Sequence, residues 1–271
     1  MKNLPKMLLY FALLVAIFLC YCRLETYWIK NKKLDLISKD IPKSFVGKKM
    51  VFISDIHHGP FLSIKRVRKI VDRINALQPD IIILGGDYVH QKAAFIEPVF
   101  DAFKNLKPKI GIYAVLGNHD HWEDAELTKK MMDRNGINLC DNKSYWIELN
   151  GERIKIGGVG DLWKDTQILD STTHDLKQSD FCVFVSHNPD YLEKINNNLI
   201  DFTLSGHTHG GQMTFFGLWA PILPSSFKQK YRYGLKQFGN MQSYISSGIG
   251  TITPPLRFFC RPEIVIIELK N

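Results

Sequence analysis

The sequence predicts an α/β layered domain behind one N-terminal hydrophobic segment. Three short apolar runs of strand type alternate with helical patterns over residues 49–135, and each run ends in a turn rich in Gly, Asp or His. Strands and helices that alternate in this way are typical of layered α/β domains. Ligands of open α/β sheets bind beyond the carboxyl ends of the strands, so we expect the polar turns to lie together.

The elements of the first half follow from apolar periodicity. The predicted strands are Lys49–Ser54, Asp80–Leu84 and Ile110–Leu116, each a short apolar run. The predicted helices are Ser63–Leu77, Ala93–Leu106 and Trp122–Asn135. Pro79 favours an end to the first of these helices, because the residue before a proline disfavours helical geometry.

The second half is richer in strands. Asn150-Gly151 lies between two strand-like runs and predicts a hairpin turn. The predicted strands are Tyr145–Leu149, Ile154–Val159, Phe181–Val185, Ile200–Leu204, Ser243–Ser246 and Glu263–Leu269.

The N-terminal segment predicts a membrane anchor. Met7–Cys22 carries no charge, and Trp28 and its neighbours could extend the run into an aromatic belt at the membrane interface. A cleaved signal peptide is the main alternative, but no small-residue cleavage site follows the run. We therefore predict an uncleaved anchor over residues 1–29, a basic polar linker over residues 30–48 and one folded domain over residues 49–271.

The charge pattern bears on orientation and partners. The net charge of +8 fits either an anionic partner or simply a basic solvated surface. Basic residues cluster after the hydrophobic run, which predicts attraction to anionic headgroups and favours a cytoplasmic domain, although export of the domain stays open. The cluster comprises Arg23, Lys30, Lys32, Lys33, Lys39, Lys43, Lys48 and Lys49. No basic helix with base-reading spacing occurs, so nucleic acid is not expected as a specific partner.

Five polar clusters, each directly after a predicted strand, carry the chemistry. They are Asp55-Ile56-His57, Gly86-Asp87, Gly117-Asn118-His119-Asp120, Ser186-His187 and Gly206-His207-Thr208-His209. Each cluster alone is typical of an ordinary loop, but all five together predict a metal site. Carboxylate, imidazole and amide ligands suit Mn, Fe, Zn or Ni, and two such cations about 4 Å apart promote phosphate ester hydrolysis.

The five clusters together resemble the calcineurin-like metallophosphoesterase superfamily from about residue 49 to residue 269. The resemblance implies a four-layer α/β/β/α sandwich and two divalent cations, most simply manganese. It implies that Asp55, His57 and His209 bind the first cation, that Asn118, His187 and His207 bind the second, and that Asp87 bridges both. It also implies that His119 contacts the phosphate and protonates the leaving group, while Asp120 orients His119. A carboxylate partner for an imidazole acid fits general-acid logic independently. His58 receives no role.

The C-terminal part of the sequence narrows the resemblance. Gly206–Gln212 (GHTHGGQ) and the later Pro254-Pro255-x-Arg257 and Arg261-Pro262, together with the hydrophobic segment, resemble a membrane-associated bacterial branch. That branch includes enzymes similar to UDP-2,3-diacylglucosamine pyrophosphatases of lipid A biosynthesis. The resemblance implies a single-pass protein of the bacterial inner membrane.

An apolar stretch and two arginines in the C-terminal part of the sequence can each be interpreted in two ways. The apolar stretch Leu218–Pro224 could meet an acyl chain or a bilayer, but a packed loop is the more ordinary expectation. Arg257 and Arg261 could clamp a second phosphate, or they could be surface or Glu-paired arginines.

Three functions compete at this point. The first is a pyrophosphatase or phosphodiesterase for a lipid-linked substrate at the membrane face. The second is a phosphodiesterase for soluble nucleotides, sugar phosphates or cell-wall polymers. The third is a non-enzymatic binding module on the same fold, which the complete set of ligand-type residues disfavours. The sequence predicts no oligomeric state.

Overall fold

Two six-stranded sheets form the framework of the protein in the computed structural model, which describes residues 4–271. The first sheet consists of β1 (Lys30–Ile37), β2 (Lys49–Ile53), β3 (Ile81–Leu84), β4 (Gly111–Ala114), β5 (Asn138–Leu139) and β12 (Glu263–Lys270). Its spatial order is β1-β12-β2-β3-β4-β5, and β2 to β5 run parallel. The chain therefore leaves β2, β3 and β4 at the same edge of the sheet.

The second sheet carries the remaining ligand-type residues. It consists of β6 (Ser144–Leu149), β7 (Glu152–Gly158), β8 (Cys182–Val185), β9 (Phe202–Ser205), β10 (Gly234–Phe238) and β11 (Met241–Ile245), in the order β10-β11-β9-β8-β7-β6. Strands β7, β8 and β9 are parallel, so His187 after β8 and His207 after β9 leave this sheet at a common edge.

The helices and the two sheets share a continuous apolar interior. The helices are α1 (Leu4–Glu25), α2 (Ile64–Ala76), α3 (Ile96–Phe103), α4 (Asn118–Arg134) and α5 (Asp170–Thr173). Val67, Ile70, Val71 and Ile74 of α2 are all buried, as helical spacing predicts. Phe52 of the first sheet and Phe202 of the second belong to one buried cluster, so the sheets pack against a common core.

The predicted strands and helices are confirmed, with ends that shift by a few residues. The largest changes are at the helices: residues 93–95 form a short 3₁₀ turn before α3, and α4 begins at Asn118 rather than Trp122, with a break at Asp124. Mixed α/β architecture with two sheets is therefore established. The four-layer order stays a prediction.

The predicted linker over residues 30–48 is wrong for its first half. Lys30–Ile37 forms β1, which pairs in parallel with β12 and places Leu36 opposite Leu269 in the core. The strand was not predicted because only Leu34 and Leu36 are apolar before the last residue of KNKKLDLI. Such a pattern suits an edge strand with one exposed face. Strands β5 and β10 were also missed.

Helix α1 is joined to the folded domain by buried contacts at its C-terminal end. With 22 residues it is about 33 Å long, and it is apolar enough to cross a membrane. Glu25 is 1% exposed, and its carboxylate accepts the backbone N–H groups of Phe259 (3.0 Å) and Cys260 (2.7 Å). The Cys22 carbonyl accepts the N–H of Arg257 at 3.0 Å. The helix therefore leaves the domain in a fixed direction.

Candidate metal centre

The predicted ligands meet where strands of both sheets end. Asp55, Asp87 and His207 each have a positive φ, between 54° and 66°, which is uncommon for residues other than Gly. Such backbone strain persists where the surroundings impose it, and it concentrates at functional sites. Gly86 permits the close approach of two turns, because a Cβ there would lie 2.6 Å from the Gly117 nitrogen and 2.7 Å from Nδ1 of His187.

The first group of ligand-type residues contains Asp55, His57 and His209, all buried. Nε2 of His57 lies 3.0 Å from Nε2 of His209, and Nε2 of His209 lies 3.5 Å from Oδ1 of Asp55. Three potential ligand atoms from distant parts of the sequence thus converge on one point.

The second group contains Asp87, His187 and His207. Nε2 of His187 lies 3.2 Å from Oδ2 of Asp87, and the same oxygen lies 3.5 Å from Nε2 of His57 in the first group. The carboxylate of Asp87 therefore stands between the two groups, where a bridging ligand would be required.

The donor set fits divalent cations. Oδ1 of Asn118, Nε2 of His187 and Nε2 of His207 are buried and make no hydrogen bond to any residue from 4 to 271. His187 instead bonds the Gly85 carbonyl through Nδ1 at 2.7 Å, which leaves Nε2 free to bind a cation. Unsatisfied buried acceptors are costly unless an ion or ligand occupies the space between them. Asp87 is the residue best placed to hold two ions together.

The electrostatics of the centre favour a positive charge. Burial, and the charge of His187, lower the pKa of His207 to about 3, so that its imidazole is neutral at pH 7, as a metal ligand must be. Burial would lower the pKa of His187 too, but the adjacent carboxylate of Asp87 raises that pKa well above its ordinary value. The carboxylate of Asp87 thus favours positive charge at its neighbour, whether a proton on His187 or a bound cation.

His119 lies at the centre as predicted, but its predicted contact with Asp120 is wrong. The His119 ring centroid is 4.6 Å from that of His57, and the His119 backbone N–H donates to Oδ1 of Asp87 at 2.8 Å. Asp120 accepts the backbone N–H groups of Asp87 and Gly117 through Oδ2, and that of Tyr88 through Oδ1. Asp120 points back into the turn because these donors surround it, so it positions Asp87 rather than the His119 ring.

Sequence reasoning missed His90. Its ring centroid lies 5.4 Å from that of His57 and 5.1 Å from that of His119. Both of its ring nitrogens are buried without a hydrogen-bond partner in the described part of the chain. The sequence feature that could have indicated His90 is its position three residues after the predicted ligand Asp87. His58, in contrast, bonds the Leu62 carbonyl through Nδ1 at 2.8 Å, which agrees with its having no assigned role.

A family model for the calcineurin-like phosphoesterases matches residues 48–211, which contain all of the predicted ligands. The chain belongs to the calcineurin-like phosphoesterase family. Enzymes of this family depend on a dinuclear metal centre, and the two His/Asp groups described above are candidates for it. The protein is therefore a metal-dependent phosphohydrolase.

Relatives of this phosphoesterase cover most of its length. It is 29% identical to the metallophosphoesterase YkuE of Bacillus subtilis over 92% of the chain and 88% of that protein. It is 30% identical to the phosphodiesterase YaeI of Escherichia coli over 82% of each chain. It is 27% identical to a zebrafish (Danio rerio) transmembrane protein with a metallophosphoesterase domain, over 85% of the chain and 55% of that protein.

Solved structures share the fold. The NAD nucleotidase NadN of Haemophilus influenzae superposes with a TM-score of 0.53 at 15% identity, over 74% of this chain and 45% of that chain. A dimetal phosphatase of Danio rerio superposes with a TM-score of 0.50 at 9% identity, over 83% of this chain and 94% of that chain. Both confirm the metallophosphoesterase fold.

Arg257 of the phosphoesterase is neither a phosphate clamp nor a surface residue. It is fully buried, and its guanidinium donates to the carbonyls of Ser247, Gly250 and Cys260 at 2.7–2.9 Å. It thereby holds the loop whose Gly250 N–H donates to the Asp55 carbonyl. Arg261 donates through Nε to the Trp28 carbonyl at 2.8 Å, which fastens the chain just after α1.

Most of the stretch Leu218–Pro224 is exposed rather than packed, although Ala220 is buried and Leu223 and Pro224 are half-buried. Leu218 is 79% exposed and Ile222 is 80% exposed. Because Phe215 pairs with Trp219 in an isolated bridge, the stretch forms a tight turn that presents its apolar side chains outward. We call residues 215–222 the apolar loop.

Proposed function

We propose that this phosphoesterase hydrolyses a phosphodiester or pyrophosphate bond in a membrane-associated, lipid-linked substrate such as UDP-2,3-diacylglucosamine. The observation that carries the proposal is an apolar cleft of about 160 Å³ that touches the candidate metal centre. His209 lines the cleft together with Met213, Pro221, Ile222, Ile252 and Pro254. One residue thus serves both the cleft and the metal centre.

The cleft opens beside the apolar loop, because Ile222 belongs to both. Apolar walls suit an acyl chain, since burial of each methylene group contributes about 0.8 kcal/mol. A substrate with acyl chains in this cleft would present its phosphate towards His209 and the two metal groups. A soluble nucleotide would leave the cleft walls without an apolar partner.

Helix α1 and the apolar loop form one continuous aromatic surface, which supports a membrane location. Phe258 contacts both Phe18 of α1, with ring centroids 5.0 Å apart, and Phe216 of the loop, with centroids 6.3 Å apart. Exposed apolar patches of this kind mark membrane or protein contacts. We propose that α1 is an uncleaved single-pass anchor in the bacterial inner membrane, with the domain in the cytoplasm and the basic cluster near anionic headgroups.

The residues at the centre receive these roles in the proposal. Asp55, His57 and His209 would hold one cation, Asn118, His187 and His207 would hold the other, and Asp87, which stands between the two groups, would serve both. When bound, the two cations, which we propose to be manganese, supply a hydroxide nucleophile and neutralise phosphoryl charge. His119 contacts the phosphate and protonates the leaving oxygen, and Asp120 holds the turn that carries Asp87. The four-layer order of the family is part of this proposal.

A product assay tests the proposal. The full chain, purified in detergent with Mn²⁺, is given UDP-2,3-diacylglucosamine in mixed micelles, and products are identified by mass spectrometry. Release of UMP and acylated sugar phosphate by the wild type, and its loss in His119→Ala, would support the lipid-linked substrate and an involvement in lipid A biosynthesis.

An Ile222→Ser variant tests the cleft itself. We expect it to lose activity on the lipid-linked substrate while retaining activity on a soluble aryl phosphodiester. Ile37→Ser, which changes an exposed Ile on β1, is the matched control. Equal loss on both substrates would contradict a role of the cleft in acyl-chain binding.

The second candidate is a phosphodiesterase for soluble nucleotides, sugar phosphates or cell-wall polymers. The similarity to the phosphodiesterase YaeI favours it, because that name specifies the bond and no lipid. Turnover of simple phosphodiesters with no product from the lipid-linked substrate, and no effect of Ile222→Ser, would favour this candidate.

A further inference from the structure

A separate group of potential metal ligands lies beside the dinuclear centre. It contains His121, Asp141 and Asp165, and one nitrogen or oxygen atom from each lies within 4.8 Å of the others. His121 is in the first turn of α4, Asp141 follows β5 and Asp165 is in the loop after β7. Three segments that are separate in the sequence thus direct polar side chains to one point.

Two buried polar atoms of this group have no hydrogen-bond partner among the described residues. Asp141 is only 8% exposed, and its Oδ1 accepts the Leu116 N–H at 3.1 Å. Its Oδ2 and Nε2 of His121 are buried without a hydrogen bond from any of the described residues. A buried polar atom in this condition costs about 1–3 kcal/mol.

A proton alone does not remove the cost. Burial raises the pKa of Asp141 well above its usual range, which favours the protonated carboxyl group. A hydroxyl at Oδ2 would still need an acceptor, and Oδ2 makes no hydrogen bond to Nε2 of His121 or to any other described residue. The positive charge of Lys129 acts on the Asp141 carboxyl group. Its ammonium, however, donates to the Glu126 carboxylate at 2.9 Å. A cation between the three side chains would satisfy both orphaned atoms.

We propose that His121, Asp141 and Asp165 bind a third divalent cation, distinct from the pair at the dinuclear centre. One imidazole and two carboxylates suit Mn²⁺ or Zn²⁺ better than Ca²⁺, which takes oxygen ligands only. Three protein ligands leave further coordination positions for water. The proposal is independent of the lipid-linked substrate.

A cation at this site would position the loop that carries Asp165 relative to the dinuclear centre. Trp163 lies in the same loop as Asp165, and its ring centroid is 4.4 Å from that of His207. Lys164 lies over the ring of Trp122, which in turn contacts His119 with ring centroids 4.5 Å apart. A cation that fastens Asp165 to α4 therefore holds the loop against two residues of the dinuclear centre.

Metal counting tests the site without reference to activity. The full chain is stripped of metal, equilibrated by dialysis against a series of Mn²⁺ concentrations, and analysed by mass spectrometry for bound manganese. We expect the wild type to bind three equivalents and Asp165→Asn to bind two. Asp170→Asn, which removes an exposed carboxylate on the neighbouring helix α5, is the matched control and should bind three.

Two further variants make the result decisive. Asp87→Asn should weaken the dinuclear pair and leave the third equivalent, so failure of the dinuclear centre is distinguishable from failure of this proposal. His121→Gln should bind two equivalents, and it decides the outcome if Asp165→Asn does not fold. A wild type that binds only two equivalents, or an Asp165→Asn variant that binds as many as the wild type, would overturn the third site.

Discussion

Nε2 of His57 lies 3.0 Å from Nε2 of His209, although the two residues are 152 positions apart in the sequence. His57 follows a strand of the first sheet and His209 follows a strand of the second. The pair therefore forms only when both sheets are in register with their common core. Assembly of the metal centre therefore requires both sheets to be packed.

Replacement of Asp87 should abolish the dinuclear centre. In Asp87→Asn the neutral side chain can no longer balance two cations, so we expect manganese content at this centre to fall. Activity on bis-p-nitrophenyl phosphate should drop by at least about 10²-fold, the scale at which one lost electrostatic contact to a transition state acts. Metal analysis and steady-state kinetics check this. Asp101→Asn, at an exposed position on α3, should change neither.

Replacement of His119 should slow catalysis and leave metal binding intact. A general acid contributes about 10²–10⁴-fold, so His119→Ala should lose that much turnover on a substrate with a poor leaving group. The loss should shrink for p-nitrophenolate, which leaves without protonation. A series of aryl phosphodiesters measures the dependence on leaving-group pKa. An unchanged dependence would show that His119 is not the acid.

His90 should affect substrate affinity more than turnover. Its ring lies near those of His57 and His119, and the ring nitrogen that carries the proton can donate to a phosphate or its substituent. His90→Ala should therefore raise KM about tenfold, which corresponds to about 1.4 kcal/mol, with a smaller change in kcat. His174→Ala, at an exposed histidine, is the matched control. Equal kinetics in His90→Ala and the wild type would remove His90 from the site.

Glu25 should couple the stability of the domain to α1. Glu25→Ala leaves the N–H groups of Phe259 and Cys260 without their acceptor, so the free energy of unfolding should fall by about 1–3 kcal/mol. Denaturation of the full chain in detergent measures it. The control Glu268→Ala removes a half-exposed carboxylate of β12 and should cost much less. A loss no larger than in the control would mean that α1 is only loosely joined to the domain.

Arg257 should matter for stability and not for phosphate binding. Arg257→Leu removes hydrogen bonds to three carbonyls in the interior, so the free energy of unfolding should fall by about 3 kcal/mol or more. Arg261→Ala, which loses one bond to the Trp28 carbonyl, should cost less. Thermal denaturation compares the two. A raised KM in a fully stable Arg257→Leu would restore the phosphate clamp.

The sequence was most informative where apolar strands end in polar turns. Asp55, Asp87 and Asn118 could be assigned to one edge because parallel strands carry their following turns to the same side. Six of the seven predicted ligands lie in the two groups of potential ligand atoms, and Asn118 stays a prediction. The order of the strands does not, however, predict the direction in which a side chain within a turn points. The family resemblance implied Asp120 as a partner for the His119 ring, whereas the backbone N–H groups of Tyr88 and Gly117 bind its carboxylate.

Tertiary contacts decided the features that the sequence did not predict. Lys30–Ile37 reads as a basic linker because an edge strand needs few apolar residues, and only its pairing with β12 makes it a strand. Arg257 could be interpreted as a phosphate clamp or as a surface or Glu-paired residue, because the carbonyls that allow its burial come from the folded loop and are not visible in the sequence. His90 has no sequence signal beyond its distance from Asp87.

The dependence of phosphodiester turnover on added metal is the sharpest test of a two-metal centre in this protein. The purified full chain is stripped with a chelator, assayed on bis-p-nitrophenyl phosphate, and assayed again as Mn²⁺ is added. If two cations promote the reaction, we expect no activity in the stripped protein, recovery that saturates only when two equivalents occupy the dinuclear centre, and no recovery in Asp87→Asn. Full activity without metal, or equal recovery in Asp87→Asn, would contradict it.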